Sequence, residues 1–358
     1  MENIRGRTAD SASVRIRQEN PLDCANWNAR LSKHSLFHSA EWARVLQSTY
    51  GFTPIYFTAG RGDSLESLLP VMEVNSWLTG RRGVSLPFTD HCEPICSSET
   101  SLAHLIREAL AYGRERAWNY FEWRGSAAVA RMFNGAAHPS LSYFGHSLDL
   151  MPDTDRLFAQ FKGSVRRAIR KAEKSGLEIE ISNSLEATQA YYSLHCRIRR
   201  RHGLPPQPFL FFRNIQEQIL ARDLGIVVSA RFQGQVVASA IFFHAGPEAI
   251  FKFGASDVDF QHLRVNNLVM WQAIQWHAQN GATSLHFGRT SIANEGLRRF
   301  KLGWGTREQQ IHYYKFDLRK EAFVTQADDA FGWHGLVFRA LPIYLSRWTG
   351  SMLYRHVA

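Results

Sequence analysis

The sequence predicts an α/β (α+β) protein of two tandem domains, each a mixed, mostly antiparallel sheet flanked by helices. Three observations carry that expectation. A chain of 358 residues is too long for one ordinary core. Helix-period and alternating apolar segments interleave through both halves, which implies layered packing. The pattern also restarts near Pro152, which sets boundaries at 1–150 and 151–320 and leaves 321–358 as a helical C-terminal extension.

In the first half, Ser39 can cap a helix over HSAEWARVLQSTYG, with Trp42, Val45 and Leu46 on one face. TPIYFTA (53–59) and LESLLPVMEV (65–74) read as two strands joined through GRGD at 60–63. A helix over 101–117 and strands over 119–125 and 141–150 complete the half. The second half opens on one long amphipathic helix over 154–175, with Leu157, Phe158, Phe161, Val165, Ile169 and Ala172 as its apolar stripe. Gly176 ends it before the strand LEIEI (177–181). Helices over 184–202 and 209–221 flank the Pro-rich LPPQPF. GIVVSARFQGQVVASAIFFHAG (225–246) is a hairpin turning at Gln233-Gly234-Gln235, and EAIFKFGAS adds a third strand. A helix over 266–280 and strands over 284–288 and 306–318 follow.

Composition narrows the function classes. With 45% hydrophobic and 21% charged residues the chain is globular rather than disordered. Its net charge of +10 favours an anionic partner, whether nucleic acid, phosphorylated substrate or acidic lipid. Four cysteines (Cys24, Cys92, Cys96, Cys196) are too few for a disulfide framework and read as reduced thiols in a cytosolic protein. His91, Cys92 and Cys96 in DHCEPIC lack a second ligand pair, so no metal is expected. The N-terminal stretch has no apolar core of a secretory signal, and no segment reaches the roughly 18 apolar residues of a membrane span. The C-terminal FGWHGLVFRALPIYLSRWTGSMLYRHVA mixes aromatics with Arg339, Arg347 and Arg355. It reads either as packing on the second domain or as peripheral contact with the inner face of the cell membrane.

Three segments carry a family resemblance: FKGSVRRAIRKAEKSGLEIEI (161–181), YYSLHCRIRRRHGLPPQP (191–208) and HFGRTSIANEGLRRFKLGWG (286–305). Together they resemble the FemAB-like branch of the GNAT superfamily. The last is similar to FemAB-like proteins associated with PEP-CTERM/exosortase exopolysaccharide systems. The resemblance spans about 150–320 well and 35–100 more weakly. It implies a pair of GNAT-like domains and an acyl- or aminoacyl-transferase acting on an amine or hydroxyl of a cell-envelope or exopolysaccharide precursor. Aminoacyl-tRNA or acyl-CoA would be the donor. The alternatives are an acetyl-CoA-dependent N-acetyltransferase and a non-catalytic RNA- or precursor-binding scaffold.

Several residues are candidates for chemistry. The resemblance marks Lys301, in RRFKLGWG, as the cation that stabilises an oxyanion, with Phe300 and Trp304 packed inward to hold it at a substrate groove. Arg289 follows a strand end at Gly288, and its planar fork suits phosphate or carboxylate. Lys162, Arg166, Arg170 and Lys174 recur every four residues, with Arg167 and Lys171 beside them. Such like-charge spacing repels unless an anion sits on it, here tRNA or a diphosphate-linked precursor. Arg197, Arg199, Arg200 and Arg201 form a second run, and His195 and His202 are candidate proton carriers on or just after that helix. Asp90 and Asp257 would orient or deprotonate the acceptor, or else serve as turn and cap residues. Before the helix at 266 the sequence reads Gln261-His262-Leu263-Arg264-Val265-Asn266-Asn267, without the glycines of a coenzyme A pyrophosphate loop. Asn266 would cap that helix, and Asn267 and Trp304 join it as expected substrate contacts.

Overall fold

The computed structural model describes residues 15–31, 35–61, 64–90, 92–96, 98–125, 133, 137–325 and 341–356. The first half comprises β1 (Arg15–Glu19), α1 (Ala40–Tyr50), β2 (Thr53–Pro54), β3 (Tyr56–Gly60), β4 (Ser67–Leu69), β5 (Met72–Ser76), β6 (Gly80–Val84), α2 (Glu99–Glu115), β7 (Tyr120–Arg124) and β8 (Leu141–Asp149). The second runs α3 (Thr154–Gln160), α4 (Gly163–Glu173), β9 (Glu178–Ser182), α5 (Leu185–Arg201), α6 (Phe209–Gln218), β10 (Gly225–Phe232), β11 (Gln235–Ala245), β12 (Glu248–Ser256), α7 (Val265–Gln279), β13 (Ser284–Ser291), α8 (Glu295–Leu302) and β14 (Arg307–Asp317). Then come β15 (Ala322–Phe323) and α9 (Ile343–Leu353).

Local rules account for most of these boundaries. The Ser39 hydroxyl accepts from the Trp42 N–H and starts α1, whose Trp42, Val45 and Leu46 are buried as their spacing predicted. Gln233 and Gly234 both take positive φ, 49° and 80°, the geometry of a tight type I′ hairpin turn. Two expectations are corrected. LESLLPVMEV is not one strand: Pro70 offers no N–H to a ladder, and the chain passes there from a three-stranded sheet (β1-β3-β4) into the main sheet at β5. The helix expected over 154–175 breaks at Phe161, which is extended and buried against Trp271 and Trp304. Turning the chain there lets α3 and α4 each bury their own part of the stripe.

The main sheet runs β2-β5-β6-β7-β14-β8-β13-β12-β11-β10-β9, with β15 on β14. Every neighbouring pair is antiparallel except β6 with β7 and β12 with β13. Each half therefore holds an antiparallel run and one parallel step. The halves also exchange a strand: β8 pairs with β13, and β14 pairs with β7. The sheet is continuous across the restart near Pro152 because β8 and β14 pair with each other. One core lies under α1, α5 and α6, and another under α3, α4 and α7. The exchanged strands bring loop 86–90 of the first half against β12, β13 and β14.

Candidate active site at the junction of the halves

β12 and β13 pair over only three residues, Glu248–Ile250 against Ser284–His286. Beyond them β13 kinks at Gly288, whose φ of 71° belongs to the left-handed region, and its pairing with β8 shifts register between His286 and Arg289. The strands separate, and a strand edge so freed presents N–H and C=O groups to any ligand that enters. A cavity of about 370 Å³ sits at that edge, lined by Ile198 from α5, Phe251 and Ala255 from β12, Asn266 from α7, and Leu297 and Phe300 from α8. Such a cavity between diverging parallel strands is where an extended donor arm would fit.

Gly288 is required at the kink. A Cβ there would meet the Phe251 carbonyl oxygen at 3.3 Å and the Asp90 carboxylate at 3.5 Å, in a backbone conformation that costs an L-residue about 1–2 kcal/mol. Gly288→Ala should lose about that much in urea unfolding, and transfer activity should fall with it. Wild-type stability would show that the kink tolerates a side chain.

Lys301 is only 2% exposed. Its ammonium donates to the Gly288 carbonyl at 2.8 Å and the Arg289 carbonyl at 3.2 Å, engaging two of its three N–H groups. Burial lowers its pKa to about 8, and the Asp90 charge opposes the drop. The amine is thus held at the kink by backbone oxygens rather than pinned between two rings. Phe300 lines the cavity. Trp304, which was expected to touch substrate, is 0% exposed and packs on Phe161, Phe287 and Phe300, so its role is core packing.

Asp90 from the first half forms a buried ion pair with Lys252 of β12 at 3.1 Å. Burial alone would raise its pKa, but Lys252, then Arg289 and His286, hold it below the ordinary carboxylate value. The loop carrying it is strained, with Leu86 and Phe88 at φ 49° and 61°. Arg124 donates to the Leu86 and Thr89 carbonyls, and the Tyr313 hydroxyl donates to those of Thr89 and Asp90. Arg289 donates to Tyr313 at 2.7 Å and lies over the rings of Tyr143 and Tyr313; Tyr313 and Asp90 hold it protonated against its burial. Lys252, Arg289, Lys301 and Arg124 face only Asp90 and Glu122 among these groups, an excess of two positive charges. An anion forming here would be stabilised.

The remaining expectations divide. Asn266 does reach the cavity, but it does not cap α7; its amide donates to Ser256, and Arg264 occupies the cap at φ 62°. Asn267 follows in the same first turn. Asp257 caps a short 3₁₀ turn through Asp259 N–H and pairs with Arg197 at 3.0 Å, which gives it a structural task. Burial lowers the His195 pKa to about 3, so it stays neutral and is no proton carrier near pH 7. Arg199, half-buried, ties the Pro205 carbonyl to the Tyr354 hydroxyl. Arg170 lies on the outer face of α4 over the Phe158 ring, Arg166 is half-buried at its side with Nε out of solvent, and no carboxylate pairs with either among the described residues. That face begins beside α8, where the Lys162 N–H donates to the Gly303 carbonyl. His91 lies outside the described residues, as does Arg339.

Sequence reasoning passed over Lys252 and Tyr313. Lys252 stood out as the one cation in the apolar strand AIFKFGA, a signal that was available. Tyr313 gave no signal, since only the strand exchange carries it to Asp90.

Residues 159–302 match the family model described as the acetyltransferase (GNAT) domain, a match that ends one residue past Lys301. No curated protein sequence matches the chain. Among solved structures, FemX superposes with a TM-score of 0.66 at 12% identity, covering 83% of this chain and 96% of FemX. A tandem GNAT protein from the clavulanic acid biosynthesis pathway gives 0.55 at 9%, covering 86% and 99%. L-PGS from Bacillus licheniformis gives 0.50 at 12%, covering 87% and 96%. At such identities these likenesses speak for the fold. Residues 159–302 therefore form a GNAT-type acyltransferase domain, and the surrounding fold is the one these structures share. Within that class its architecture is FemAB-like, two GNAT-type halves sharing one sheet.

Proposed function

We propose that the chain moves an acyl or aminoacyl group from an activated carrier to an amine or hydroxyl of a cell-envelope or exopolysaccharide precursor. The observation that carries this reading is the cavity at the separating strands beside the buried, cation-rich kink. The donor lies along the free edge of β12, and its carbonyl oxygen takes the remaining N–H of Lys301. The acceptor nitrogen or oxygen bonds to that carbon, negative charge passes onto the oxygen, and the bond to the carrier then breaks. The carrier leaves with the electron pair, and the acceptor's proton passes to solvent or carrier. Holding both reactants in one cleft removes much of the encounter entropy. The basic face of α4, with Arg166 and Arg170, suits an anionic carrier such as aminoacyl-tRNA, or a diphosphate-linked acceptor. A lipid-linked acceptor would be met at a membrane surface.

Acetyl-CoA-dependent N-acetylation is the second reading, favoured by the description of the matched domain. Against it, residues 257–264 contain no glycine, so side chains crowd the turn that would receive a pyrophosphate. Incubation with aminoacyl-tRNA or acyl-CoA and amine acceptors, read by product mass, tests both, and calorimetric titration separates the donors. Micromolar acetyl-CoA binding selects the second reading, and absence of binding and turnover with every donor refutes both. Leu297→Trp, at the cavity mouth, should raise the donor KM about tenfold with kcat little changed, roughly 1.4 kcal/mol of lost binding.

A further inference from the structure

We infer that α9 and the β5–β6 turn form one docking surface for an anionic lipid bilayer. Along α9, Tyr344, Trp348 and Met352 recur every four residues and are 69%, 62% and 50% exposed. They lie on the side opposite Ser346 and Gly350, which face the protein; a Cβ on Gly350 would come within 2.0 Å of the Pro206 carbonyl oxygen. Leu345 is exposed beside them. At the β5–β6 turn, Trp77 is 85% exposed and Leu78 is exposed next to it.

These two elements are 280 residues apart in sequence at their contact yet fastened together. The Ser76 hydroxyl meets His356 Nδ1 at 2.9 Å, Arg82 donates to the His356 carbonyl at 2.7 Å, and the Trp77 ring packs edge-on against the His356 imidazole. The apolar stripe of α9 therefore runs towards the turn that carries Trp77. Beside Trp348, a groove of about 580 Å³ also takes in Leu210 and Arg347.

Charge selects the partner. Residues 341–356 contain the exposed Arg347 and Arg355 and no Asp or Glu, and residues 76–82 contain the exposed Arg81, the buried Arg82 and no Asp or Glu. Tryptophan and tyrosine next to arginine, without acidic residues, are the composition that settles at the headgroup level of an anionic leaflet. An 11-residue helix is far too short to cross a bilayer, so α9 would lie in the surface. Among the described residues no helix is long and apolar enough to span a membrane. A soluble monomer rarely leaves so many large apolar side chains together in water.

The test is co-sedimentation of the full chain with vesicles of phosphatidylcholine alone or mixed equally with phosphatidylglycerol. Binding should require phosphatidylglycerol and weaken as salt is raised. Trp348→Glu and Trp77→Glu should each lower the partition coefficient by about tenfold or more, since each places an acid where an aromatic would enter the interface. Arg355→Gln, which leaves the apolar stripe intact, should weaken it less and reduce the salt dependence. Circular dichroism melts of these exposed-site variants keep a folding defect apart from a docking defect. Equal sedimentation with both vesicle types, or none, overturns the proposal. So does a dimer in sedimentation velocity that Trp348→Glu dissociates while the parent ignores vesicles, because the face would then belong to a second copy. Vesicle binding is read without any acyl donor, so its failure leaves the transfer reading standing, and failure of transfer leaves this surface standing.

Discussion

Lys301→Met should lower kcat about 100- to 1,000-fold with donor affinity within a few-fold of the parent, the loss seen when one oxyanion donor is removed. Methionine keeps the stem of the side chain, so the strand kink stays filled and the effect reports the lost ammonium. The pH dependence sharpens the expectation. Activity needs the charged amine, so kcat should fall as pH rises through about 8, the value to which burial lowers this lysine. Stability should move the other way. The unfolded amine keeps its ordinary value of 10.5, so between about 8 and 10.5 the unfolded chain binds more protons than the folded one. Folding stability contributed by this group therefore rises with pH across that window. Rate and stability profiles of opposite slope, with the slope in stability lost in Lys301→Met, would be hard to obtain from a lysine that merely braces β13. A flat rate profile, or near-parental turnover in the variant, would remove Lys301 from the chemistry.

Asp90→Ala should cost about 3–5 kcal/mol in urea unfolding, because it strips the carboxylate from the buried Lys252 and leaves that cation without a partner. It would also loosen the strained 86–90 loop, whose end the Asp90 carboxylate ties to Lys252 of the second half. The pair makes a cycle possible: Asp90→Asn with Lys252→Met removes both charges, and the double variant should recover most of the single variant's loss. Asp90 also sets an acid limit. Its pKa is lowered in the folded state, so its contribution is full above the ordinary value of 3.8 and is lost as pH falls through the lowered one. Asp90→Asn should flatten that part of the acid unfolding curve. A loss below about 1 kcal/mol would mean the pair behaves like an exposed ion pair.

Many elements of both halves were legible because their signals are local. Ser39 before an apolar-periodic run, Gln233-Gly234 between alternating strands, and Gly176 after a basic helix each act within a few residues. Where the local pattern misled, a contact from elsewhere decided. Phe161 fits the stripe of one continuous helix, yet Trp271 and Trp304 draw it inward and break the chain there. Pro70 was visible, but not that its missing N–H marks the passage between two sheets. In the candidate site, the family resemblance pointed to Lys301 and a strand end to Arg289, whereas His195, Asp257 and Trp304 carried residue types suited to chemistry and have other work set by burial and by their partners.

By itself the sequence determined the layered α/β architecture, the order of its elements, and the segment that carries the transferase signature. These follow from periodicity and turn chemistry, which act over short stretches of chain. Only the tertiary structure decided that β8 and β14 change places between the halves. That exchange sets Asp90 against Lys252 and brings Tyr313 to Arg289, beside the Gly288 kink that holds the Lys301 amine. Residues from 13 to 224 positions apart meet there, and no local propensity records which strand will lie beside which.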